Sequence, residues 1–62
     1  MNRYLFRVQY DRSDQAPTYE SVVVITTDET SARVEVTAAT DRFATAVGAT
    51  RTLTVLSTTV EA

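Results

Sequence analysis

The side chains that could do chemistry are few. Neither cysteine nor histidine occurs, and all six cations are arginines: Arg3, Arg7, Arg12, Arg33, Arg42 and Arg51. Thiol nucleophiles, thiolate or imidazole metal ligands and histidine-based acid–base pairs are therefore excluded. So are a Schiff-base lysine and the lysine of a phosphate loop. Carboxylates pair at Asp28/Glu29 and Asp11/Asp14. A hydrolytic or metal site needs such groups to converge in a pocket, whereas neighbours in sequence diverge. Asp28 and Glu29 fit the first turn of a helix, where the dipole favours acids. The Asp11/Asp14 spacing lacks the glycine and closing glutamate of a calcium loop.

Four serines have no histidine to activate them, and the single glycine, Gly48, cannot build a nucleophile elbow or a dinucleotide fingerprint. The residues predict no enzyme, no cofactor and no metal. One surface chemistry remains: Arg3, Tyr4, Phe6, Arg7 and Tyr10 combine aromatic rings with guanidinium groups. Single-stranded nucleic-acid platforms use that combination. The same aromatic row is what a sheet needs to pack a helix, and Arg7 points away from Tyr4 and Phe6, so the core reading takes precedence.

Charge is uneven: +2 over residues 1–12, −5 over 13–41 and +1 over 42–62, giving −2 in all. A nucleic-acid binder normally carries clustered positive charge, so the balance disfavours one. The acidic middle could also imitate a phosphate surface, but its charges are sparse and read as a solvated face. The longest apolar run, Val22–Ile25, is far below the roughly 20 residues that span a bilayer. Residues 1–4 lack a signal-peptide apolar segment. These features predict no membrane association and a cytoplasmic location, in a host cell if the source is viral.

What positions these residues is a set of short elements. Tyr4, Phe6, Val8 and Tyr10 alternate with Leu5, Arg7 and Gln9, which predicts a strand over residues 3–10. Asp11 to Thr18 holds Ser13, Asp14 and Pro17 and reads as a loop. A second strand is expected over 19–26, apolar on both faces at its centre. Residues 28–47 place Ala32, Val36, Ala39, Phe43 and Val47 on one helical stripe, with Thr26 three positions before Glu29 at the start and Gly48 just after the end. The window 32–39 also alternates as a strand, but that reading leaves Phe43 and Val47 unexplained. The last strand is expected over 50–59.

The expectation is one domain over residues 1–62, a small α+β fold of ββαβ order. Its three-stranded mixed sheet carries one helix on one face, and the first strand lies in the middle. The uncovered face is expected to present Leu5, Arg7, Gln9, Val22, Val24, Thr54 and Leu56. Aliphatic area around an arginine is the composition of an interface core. At 62 residues without staples, burial barely offsets chain entropy, so self-association is the expected source of further stability. The function class that follows is a small non-enzymatic protein-binding accessory or regulatory module, cellular or viral, working as a homo-oligomer with a protein partner. A nucleic-acid binder using the aromatic and arginine surface is the alternative.

Overall fold

A computed structural model describes residues 1–61. The order is β1 (Asn2–Arg12), β2 (Gln15–Thr26), α1 (Glu29–Val47) and β3 (Thr50–Val60), a small α+β fold. The sheet runs β2-β1-β3, with β1 central as the short hairpin and the helical crossover lead one to expect. Both pairings are antiparallel. The expected mixed sheet does not form, because β2 and β3, although parallel to each other, are separated by β1.

β2 begins at Gln15 rather than Tyr19, so only Ser13 and Asp14 join the hairpin. Pro17 lies inside this edge strand, where a missing N–H costs no ladder bond. It also lies at an irregularity. Tyr10 faces Thr18 and Arg12 faces Gln15, so Ala16 and Pro17 together oppose Asp11. A second bulge interrupts β3, where Leu5 faces Ser57 and Phe6 faces Val55, leaving Leu56 as the extra residue.

The helix replaces the strand reading of 32–39. Its cap is Asp28, not the expected Thr26: the Asp28 carboxylate accepts the Ser31 backbone N–H at 2.7 Å. That bond holds the Asp28 pKa below its ordinary value. Gly48 closes the helix in the left-handed region at φ 67°, a conformation that glycine adopts without penalty.

The buried stripe is Ala32, Val36, Thr40 and Ala44, so the expected stripe is right at its first two positions only. Steps of four residues advance about 40° each around a helix, so the stripe slants around α1 and follows a twisted strand. Bulk comes from the sheet: Tyr4, Phe6, Val8 and Tyr10 are buried, flanked by the half-buried Val22, Val24, Leu53 and Val55. Small helix residues let α1 sit close over them. Thr40 fits because its hydroxyl donates to the Val36 carbonyl at 2.8 Å and leaves no unsatisfied group. Phe43 stays largely outside, edge-on to Tyr10 at 4.9 Å, with the Arg12 guanidinium near its ring.

Candidate interaction surface

With α1 on the Tyr4/Phe6/Val8/Tyr10 side, the other sheet face has no second layer. Antiparallel partners share a face, so the pairings assign each side chain. β1 contributes Arg3, Leu5, Arg7, Gln9 and Asp11. β2 contributes Tyr19, Ser21, Val23 and Ile25, through Gln9↔Tyr19, Arg7↔Ser21, Leu5↔Val23 and Arg3↔Ile25. β3 contributes Thr50, Thr52, Thr54, Ser57 and Thr59.

Of the seven residues expected here, Leu5, Arg7, Gln9 and Thr54 lie on this face, and Leu56 sits at its bulge, about half exposed. Val22 and Val24 do not. They face Phe6 and Tyr4 and pack against the core under the helix. In their place stand Val23 and Ile25, 57% and 50% exposed, and the exposed ring of Tyr19.

The cause is the hairpin bulge. A regular two-residue turn that pairs Arg12 with Gln15 would carry Leu5 opposite Val22 and Arg3 opposite Val24. The extra residue at Ala16–Pro17 shifts the register by one and exchanges the rows. Composition gave no warning, since both rows are aliphatic. The available signal was Pro17, which marks bulges and edges in strands.

The charges on this face are mostly engaged at its ends. Arg3 pairs with Glu61 at 2.7 Å. The Gln9 amide donates to Asp11 at 2.9 Å. The Arg7 guanidinium lies 5.4 Å from the centre of the Tyr19 ring, a cation–π distance that holds both flat on the sheet. Between these groups lie Leu5, Val23 and Ile25, an aliphatic centre bordered by an arginine–tyrosine pair and a row of threonines.

The other face holds the hydroxyl of the buried Tyr10. Tyr10 donates to Glu20 at 2.5 Å, and burial together with this carboxylate pushes its pKa up to about 12. A phenol so held stays protonated and is a poor base or nucleophile. Among the described residues, no group of three or more acidic, histidine or cysteine side chains is placed to hold a metal ion. Among them, too, no helix is long and apolar enough to cross a membrane. No known protein family, curated protein or solved structure matches the chain.

Proposed function

We propose that the chain is a small non-enzymatic protein-binding module, accessory or regulatory in role, that works in the cytoplasm as a homo-oligomer and holds a protein partner on its open sheet face. The observation that carries this reading is the uncovered aliphatic centre Leu5, Val23 and Ile25 beside the stacked Arg7 and Tyr19. Interface cores favour tyrosine, arginine and large aliphatic residues and are poor in lysine and glutamate. Among the described residues of this face, Glu61 and Asp11 stand at its ends and none at its centre.

The test is capture from the native source with immobilised protein. A partner retained by the parent chain should be lost on Val23→Asp and weakened on Arg7→Ala, while Glu35→Ala on the helix leaves capture intact. Capture that ignores Val23→Asp overturns the assignment of the face. The arginine–tyrosine pair also gives the nucleic-acid alternative its one footing. Binding to single-stranded oligonucleotides that weakens steeply with salt would decide for that alternative. A net charge of −2 argues against it.

A further inference from the structure

The outer flank of α1 holds a second surface. Because the buried stripe is Ala32, Val36, Thr40 and Ala44, the residues Thr30, Arg33, Val34, Thr37, Ala38 and Asp41 lie beside it and line one shallow concavity, with the Arg33 guanidinium 5.8 Å from the centre of the buried Phe6 ring. Val34 is 65% exposed there, more than Val23 or Ile25 on the open sheet face. Asp41 reaches Arg51 of β3 at 3.6 Å, so the flank lies on the β3 side of the helix.

Three properties of this flank bear on its occupant. Thr30, Val34, Thr37 and Asp41 follow steps of four, three and four, the spacing of a straight helix–helix seam. Between its two charges stand only valine, threonine and alanine, which allow helix axes to approach to about 8 Å. The charges themselves are opposite and symmetrically placed. Arg33 and Asp41 lie four residues either side of Thr37, each about 6 Å from it along the axis.

A surface that is positive at one end, negative at the other and small in between is complementary to itself when turned end for end. That is the requirement of a two-fold contact between identical chains. We propose that two copies of this chain associate through this flank, with their helices antiparallel and the dyad at Thr37. Each Arg33 then meets the Asp41 of the partner subunit, and the two exposed valines lie on either side of the axis.

The partners these charges now have do not prevent such a contact. Arg33 bonds Glu29 at 3.1 Å, both groups about half exposed, and the exposed Asp41 meets the largely buried Arg51 at the longer distance of 3.6 Å. An exposed pair such as Arg33–Glu29 contributes little, so exchanging it across a dyad costs little. Asp41 has two carboxylate oxygens and can keep Arg51 while it accepts from the Arg33 of a second copy. The inference supplies the contact for the self-association that the proposed function assumes. It leaves the open sheet face free for a partner.

The sequence has no cysteine, so one introduced thiol reports one position. A disulfide needs the two Cβ atoms within about 4.5 Å, and Thr37→Cys satisfies that only at the dyad. Under mild oxidation it should form the covalent dimer at least roughly tenfold faster than Glu35→Cys on the opposite flank, with circular dichroism unchanged before oxidation. In sedimentation equilibrium, Arg33→Asp and Asp41→Arg should each weaken self-association by roughly tenfold. The double variant, Arg33→Asp with Asp41→Arg, should restore it. Equal cross-linking at 37 and 35, or no restoration in the double variant, overturns the proposal. If Val23→Asp dissociates the dimer while Thr37→Cys fails to cross-link, self-association belongs to the sheet face. The flank assignment then falls and the protein-binding reading stands. A parent chain that stays monomeric at all concentrations overturns the dimer, and partner capture by the sheet face is then measured separately.

Discussion

Along β1 the even positions Tyr4, Phe6, Val8 and Tyr10 are all at most 4% exposed, while the odd positions Arg3, Leu5, Arg7, Gln9 and Asp11 face a side with no covering layer. The two sets share one backbone, one register and the same neighbouring strands. Only the presence of α1 on one side separates them. On the covered side, aromatic bulk from the sheet meets small residues from the helix, and the only buried polar group in the stripe, Thr40, is satisfied within the helix. On the open side, polar groups pair with one another at the ends and leave an aliphatic centre bare. The contrast teaches that stability is concentrated in one layer of side chains. The other layer is free to be shaped by what it touches.

The largest expected effect comes from deleting the centre of the covered face. Phe6→Ala should cost about 3–5 kcal/mol, enough to unfold much of a chain this small. Urea denaturation followed by circular dichroism measures it, and a loss below about 1 kcal/mol would break the contrast. Next is alkaline pH. The Tyr10 pKa is raised from 10.0 to about 12. A neutral phenol favoured by folding contributes fully below pH 10 and is lost as pH rises towards 12, because the unfolded chain ionises first. Stability should fall by roughly 2–3 kcal/mol over that window, and Tyr10→Phe should flatten the slope.

The cap that holds α1 over the covered face is worth less. A Cβ at Gly48 meets nothing within 4 Å, so Gly48→Ala tests the backbone alone. It should lower stability by about 1 kcal/mol through the left-handed conformation. Smallest is Val23→Ala on the open face, which should change monomer stability by less than about 0.5 kcal/mol while weakening partner binding. Equal costs for Val23→Ala and Phe6→Ala would mean that the open face is part of the core.

Different features of the chain were legible to different depths. β1 was readable because its alternation is unbroken and its inward row, Tyr4, Phe6, Val8 and Tyr10, is largely aromatic. The central place of β1 followed from a short hairpin and a helical crossover. The helix was readable from its acidic start and Gly48, but its buried side was not. A threonine at position 40 carries no hydrophobic signal, whereas Phe43 does, so the apolar count favoured a stripe rotated towards Ala39, Phe43 and Val47. Only packing against a twisted strand, together with a hydroxyl satisfied by Val36, makes Thr40 the better core residue. That rotation is also what places Val34 and Ala38 on an exposed flank. The open face was legible in its β1 and β3 residues and wrong in β2. Four consecutive aliphatic residues cannot report which way they point.

The bulge at Ala16–Pro17 has a consequence for how the gene can change length. Hairpin tips are ordinarily where insertions and deletions are absorbed without harm. Here the bulge holds one residue in reserve: losing Ala16 or Pro17 would give Asp11 a single partner and leave Tyr10 opposite Thr18, with every later pairing unchanged. Losing both would turn β2 over, burying Val23 and Ile25 and presenting Val22 and Val24 instead. The core would lose little apolar content, since valine replaces valine and isoleucine replaces valine. The outward surface would change throughout: Tyr19 would move to the helix side, away from Arg7, and Glu20 would move to the open side, away from Tyr10. A loss of one codon here would thus leave the outward face as it is, and a loss of two would keep a foldable chain while exchanging the β2 side chains it presents.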